Sequence, residues 1–136
     1  MSKDCIFCKI IKGEIPSAKI YEDDKILAFL DINPIKPGHT LVIPKVHRSD
    51  LLAAENQDLV ELIKIIKRIA PAAVAGVGAD GFNVGLNDGS AAGQIVFHLH
   101  FHIIPRFNDD NLKLWSGRPY EAGAAEIVAE KIKKQL

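Results

Sequence analysis

The stretch Gln94-Ile95-Val96-Phe97-His98-Leu99-His100-Phe101-His102-Ile103-Ile104 leaves this chain the least freedom. Three of its five histidines stand there at alternate positions, with apolar residues between and around them. A period of two in β-branched and aromatic residues predicts a half-buried strand. Residues two apart on a strand share a face. His98, His100 and His102 are therefore expected to project together, with Leu99, Phe101 and Ile103 turned toward a core. A row of imidazoles can bind a metal, relay protons or attack an electrophile.

The chain around that stretch predicts one domain over residues 1–136, long enough to bury a core. Apolar residues make up 48% and charged residues 25%, a globular profile. Seventeen basic and seventeen acidic side chains cancel, so no basic excess invites nucleic acid. No apolar run approaches the roughly 20 residues a bilayer requires, and no membrane association is expected. Met1-Ser2-Lys3-Asp4 leads into Cys5 without a signal-peptide core, so the expected location is cytoplasmic. In that compartment two cysteines are expected as thiols or metal ligands.

Cys5 to Lys12 predicts a short amphipathic helix, stopped by Gly13 and Pro16. Ala18–Glu22 and Ile26–Asp31 predict strands joined by a tight Asp23-Asp24 turn, and His39–Ile43 a third, ended by Pro44. Asn33-Pro34 and Pro37-Gly38 make a rigid loop between them. Ser49 or Asp50 caps a single turn over Leu51–Ala53. Asn56 is the expected N-cap of a long helix to about Ala75. Its stripe is Leu59, Leu62, Ile63, Ile66, Ile69, Ala70, Ala73 and Val74, with Val60 and Ile65 on a second strip that a partner subunit could cover. Pro71 is expected to kink it, and Gly76 and Gly78 to end it. Gly81–Asn87 alternates as a strand, the small-residue loop Asp88–Gly93 follows, and Pro105 closes the histidine strand. A polar loop from Asn108 to Ser116 and a helix within Tyr120–Leu136 complete the chain. The expected fold class is α+β: about five mainly antiparallel, meander-like strands with helices packed on one side.

Three chemistries compete for the histidines. Unassisted burial leaves polar nitrogens to satisfy at about 1–3 kcal/mol each, which makes three purposeless imidazoles improbable. A three-histidine metal site is compatible with the H-x-H spacing, but alternate residues of a straight strand lie about 6.6 Å apart, awkward for one ion. Nucleophilic attack requires a neutral imidazole whose second nitrogen donates to a fixed acceptor. The small residues Asp88–Gly93, with Asn87 and Gln94, offer donors to a phosphoryl oxyanion beside the row. For Cys5 and Cys8, a thioredoxin-like role lacks its βαβ setting; free thiols and a zinc site completed by spare histidines both remain.

The residues His98-Leu99-His100-Phe101-His102-Ile103-Ile104 match in full the signature of the histidine triad family, H-x-H-x-H followed by two apolar residues. The resemblance extends through Cys5–Ile11, Ala28–Ile32, Pro37–His47 and Asn87–Gln94, and the branch looks like the small hydrolases of nucleoside phosphoramidates. It implies a homodimer and a purine nucleotide substrate, cleaved through a nucleotidyl-histidine adduct on His100. His102 would contact the α-phosphate and His39 support the row. Asp31 would bind the ribose hydroxyls, and Phe7, Ile10, Phe29 and Ile32 line the base pocket. Asn87, Gly93 and Gln94 match phosphate and leaving-group contacts. Related members often carry a hydroxyl residue after that glutamine; here Ile95 removes one phosphate donor. Bacterial-type members close a structural zinc site with residues matching Cys5, Cys8, His47 and His98. No organic cofactor is expected. A dinucleoside polyphosphate hydrolase and a non-enzymatic nucleotide-binding module are the alternative readings.

Overall fold

The computed structural model describes residues 2–136. Helix α1 spans Ile6–Ile11, β1 Lys19–Glu22, β2 Ile26–Leu30, β3 Thr40–Pro44, α2 Asn56–Val77, β4 Gly81–Leu86, β5 Phe101–Arg106 and α3 Ala124–Lys133. The strands form one sheet in the order β1-β2-β3-β5-β4, every pair antiparallel. The first three make a meander. The chain then crosses over through α2, so that β4 takes the edge and β5 fills the gap beside β3.

Local chemistry explains the element ends. Cys5 caps α1, its Sγ accepting from Cys8 N–H at 3.4 Å. Asp23 closes the first hairpin by accepting from Lys25 and Ile26 N–H, both at 2.7 Å. Asp50, not Ser49, caps the turn over residues 51–53 by accepting from Ala53 N–H. The N-cap of α2 is Glu55, one residue before the expected Asn56, because Asp58 reaches back to Glu55 N–H in a reciprocal capping box. Gly76 lies inside that helix, which runs unbroken through Pro71, and Gly78 ends it in the left-handed conformation.

Helices cover both faces of the sheet, which corrects the one-sided arrangement expected from sequence. Ile26, Ala28, Val42, Leu99 and Ile103 pack under Leu62, Ile65, Ile66, Ile69 and Ala70 of α2. Their neighbours Leu27, Phe29, Leu41 and Ile43 turn the other way, onto Cys5, Phe7, Cys8 and Ile10 of the α1 segment. Strands β2 and β3 are buried on both sides and accordingly read as continuous apolar runs. On α2 the stripe also shifts: Ile65 is buried, and Ile63 joins Val60 on the exposed side. No helix of the described residues is long and apolar enough to cross a membrane.

The largest correction concerns the histidine stretch. Ladder pairing begins only at Phe101, opposite Val42 and Leu86, and runs past Pro105 to Arg106. A single 3₁₀ turn, Ser90–Ala92, precedes irregular backbone from Gly93 to His100. The alternation of sides nonetheless survives, since Leu99, Phe101 and Ile103 all join the α2 core.

Candidate active site and metal centre

The three imidazoles divide between two clusters on the face away from α2. His39 enters just ahead of β3, where Gly38 adopts φ +88°. A side chain at Gly38 would meet both Pro105 and Val77 at 3.0 Å, so only glycine brings His39 this close to β5. His39 Nδ1 accepts from Ile35 N–H at 3.1 Å, which places its proton on Nε2. That nitrogen lies 2.9 Å from His102 Nδ1 and donates to it. His102 must then carry its own proton on Nε2, a buried atom with no protein partner. The chain of bonds ends in one aimed donor.

His100 stands beside it, the two rings 5.0 Å apart at 60°. Its Nδ1–H donates to the carbonyl of His98 at 2.7 Å, leaving the Nε2 lone pair for an electrophile. Phe7 packs its ring edge-on against His100 at 5.1 Å. Burial pushes the His100 pKa down, outweighing the carbonyl bond that opposes it. Burial likewise lowers His102 to about 4, and lowers His39 against the pull of the nearby Asp31 carboxylate. All three are neutral imidazoles near pH 7.

Asp31 Oδ2 lies 3.8 Å from His39 Nε2, so Asp31, His39 and His102 bring three potential ligand atoms together. A metal at His39 Nε2 would require the proton on Nδ1, which already accepts from Ile35. The donor chemistry fits a hydrogen-bonded cluster, not a cation site.

The second cluster joins Cys5, Cys8, His47 and His98, whose ligand atoms all lie within 4.8 Å of one another. His98 Nδ1 is 3.4 Å from Cys5 Sγ, 3.6 Å from Cys8 Sγ and 3.1 Å from His47 Nδ1; Cys8 Sγ is 3.3 Å from His47 Nδ1. Zinc bonds of about 2.0–2.3 Å to nitrogen and sulfur require tetrahedral edges of about 3.3–3.8 Å, so the residues fit zinc. His98 Nε2–H donates to the Pro44 carbonyl at 2.8 Å, which fixes the tautomer with Nδ1 free to ligate. Because His98 belongs here, the three histidines of the sequence motif do not converge on one ion.

The remaining expected residues scatter in role. Phe29 and Ile10 are buried beside Phe7, and Asp31 is partly buried with Oδ1 accepting from Asn33 N–H. Ile32 and Ile95 are 87% and 88% exposed. Gln94 uses its whole amide internally: Oε1 accepts from Gly89 N–H, and Nε2 donates to the carbonyls of Ser49 and Val96. Asn87 approaches the αL residue Gly93, its Nδ2 3.6 Å from where a Cβ would stand. Sequence reasoning missed the main-chain N–H of Ile35 and the carbonyls of Pro44 and His98, which set the tautomers of His39, His98 and His100; backbone donors and acceptors carry no sequence signature. A concavity of about 480 Å³ between β1 and α2 lies on the opposite side of the sheet, and its lining holds no histidine, cysteine or carboxylate.

Fold and site together define a small antiparallel α+β domain with a paired-imidazole centre beside a Cys/His cluster. The chain belongs to the HIT family, whose domain model matches residues 12–109. The adenosine 5'-monophosphoramidase hnt1 of Schizosaccharomyces pombe is 37% identical over 134 residues, covering 97% of this chain and 98% of that protein. The adenylylsulfatase HINT3 of Arabidopsis thaliana is 46% identical over 112 residues, 82% of this chain and 57% of that protein. A crystal structure of a Zn-bound histidine triad family protein from Mycobacterium smegmatis superposes with a TM-score of 0.78 at 40% identity, covering 98% of both chains.

Proposed function

We propose that this protein is a nucleotidyl hydrolase that cleaves purine nucleoside 5'-phosphoramidates through an adduct on His100. The observation that carries the reading is the opposed pair of ring nitrogens. His100 presents an unprotonated Nε2 because its Nδ1–H is held by the His98 carbonyl, and His102 presents a buried, unpartnered Nε2–H. A lone pair beside a donor suits attack on phosphorus with stabilisation of the phosphoryl oxygen. The His100 nitrogen forms a bond to the α-phosphorus as the bond to the leaving amine breaks, and the amine departs with a proton from solvent. Water then displaces the histidine, releasing the nucleoside monophosphate and restoring the lone pair. The S. pombe relative, named for a phosphoramidase activity and matched along nearly its whole length, supports this substrate class over dinucleoside polyphosphates.

Asp31 is assigned to accept from ribose hydroxyls, and Phe7, Ile10, Phe29 and Ile32 to the base. Asn87 and Gly93 are assigned to the phosphate side with Ile95, and Gln94 to bracing their loop. Zinc is assigned to Cys5, Cys8, His47 and His98 as a structural ion; when bound it supplies cross-linking and takes no part in the chemistry. A homodimer completes the reading, supported by an unpaired β4 edge that carries exposed Phe82 and Val84. The decisive experiment is His100→Asn with adenosine 5'-phosphoramidate as substrate. Turnover is expected to fall by about 10³-fold or more while nucleotide binding persists. Near-normal hydrolysis by that variant would remove His100 as nucleophile. Tight nucleotide binding by the wild type, with no turnover of any phosphoramidate or dinucleotide, would favour a regulatory module.

A further inference from the structure

The irregular backbone ahead of β5 raises a question the sheet does not answer. His98 and His100 precede the first ladder pair, so strand pairing does not hold the carbonyl that orients the nucleophile. What holds it is the neighbouring segment Pro44–Arg48. The His98 ring donates to the Pro44 carbonyl, its Nδ1 faces His47, and Leu99 N–H donates to the Arg48 carbonyl at 2.6 Å. Arg48 is itself fixed by ion pairs to Asp58 and Glu55. Cys5 and Cys8 close the remaining side of the His98 ring, and Phe7 between them touches both His98 and His100.

We infer that the Cys5/Cys8/His47/His98 centre is a positioning device for the nucleophile, acting through the main-chain carbonyl of His98. One residue thus serves as metal ligand by its side chain and as orienting acceptor by its backbone. Occupied by zinc, the four ligands hold the His98 peptide plane and with it the tautomer and aim of His100. Without the ion, the peptide keeps only the Leu99 N–H bond to Arg48 and the His98 ring bond to Pro44, and loses the cross-link to Cys5, Cys8 and His47. This inference rests on the zinc assignment and on His100 as nucleophile.

The test withdraws zinc from the folded wild-type protein with a chelator, restores it, and compares Cys8→Ser. Three quantities are read: kcat and KM on adenosine 5'-phosphoramidate, metal content, and the one-bond ¹H–¹⁵N signal of His100 Nδ1. The expected result is a fall in kcat of about tenfold or more with KM within about twofold, since small misplacements of a reacting group cost that order. The Nδ1–H signal should weaken in step and return with zinc. As a control, Ile66→Val, which loosens the α2 core, should leave the Nδ1–H signal intact. Chelation makes the result independent of whether Cys8→Ser folds. Zinc removal that leaves kcat and the Nδ1–H signal unchanged overturns the positioning role and spares the zinc assignment. A wild-type protein that takes up no zinc overturns both. A His100→Asn variant that keeps turnover instead defeats the proposed mechanism while leaving the metal result standing.

Discussion

At His102 one proton position is dictated by a loop more than sixty residues away. Ile35 N–H fixes His39, and His39 fixes His102. The price is burial: His102 is held neutral, its pKa pushed down to about 4 chiefly by desolvation, with the nearby imidazoles His100 and His39 adding to it. The unfolded chain protonates this histidine near the ordinary value of 6.5. A depressed folded pKa contributes stability that is present above that value and is lost as pH falls toward 4. The urea midpoint is therefore expected to be flat above about pH 7 and to fall steadily between 6.5 and 4. Each proton taken up on unfolding steepens the fall by about 1.4 kcal/mol per pH unit. His102→Gln should make the slope shallower in that window. A midpoint indifferent to pH there would mean that His102 is not held neutral. The clustered histidines and the two cysteines were legible in the sequence, and Asp31 only through the family resemblance. The tautomers were not, because main-chain groups brought together by the fold set them.

At the scale of elements, period-two and period-3.6 patterns located every strand and helix to within a few residues, except where a side chain alternates without a ladder. His98–His102 keeps strand-like sides because Leu99 and Ile103 are both gripped by the α2 core, yet only Phe101 onward finds partners. Burial on two faces erased the alternation of β2 and β3, and the missing contrast concealed α1 on the second face. Helix α2 offers a clean element-scale prediction. Pro71 sits in its interior on the exposed side, where its missing N–H leaves the Lys67 carbonyl without a helical donor. Pro71→Ala should restore that bond and raise stability by about 1–3 kcal/mol, measured as an upward shift of the urea midpoint with an unchanged slope. Loss of stability would show that the proline ring is packed against something outside the single chain.

For the whole molecule, one chain leaves several large apolar side chains bare. Arg106 anchors the segment after β5 through Asp110, Asn83 and the Leu112 carbonyl. From Lys113 onward, among the described residues, no hydrogen bond or ion pair reaches back to the sheet or to α2. Trp115 is 96% exposed, and Leu114, Tyr120, Ile127 and Ile132 are exposed with it. Helix α3 buries no residue. The edge strand β4 turns Phe82 and Val84 toward the α2 side, where Val60 and Ile63 also lie open. Unpaired backbone and exposed apolar side chains on one edge are what an isologous sheet-to-sheet contact removes from water. Sedimentation or light scattering at micromolar concentration is accordingly expected to give a mass of two 14.9 kDa chains. The melting temperature should rise with protein concentration, as mass action requires of a dimer. Phe82→Asp, which places a charge at the proposed seam, should yield single chains and abolish the concentration dependence. A wild-type protein that sediments as one chain would leave β4, α2 and the C-terminal arm without a shared explanation.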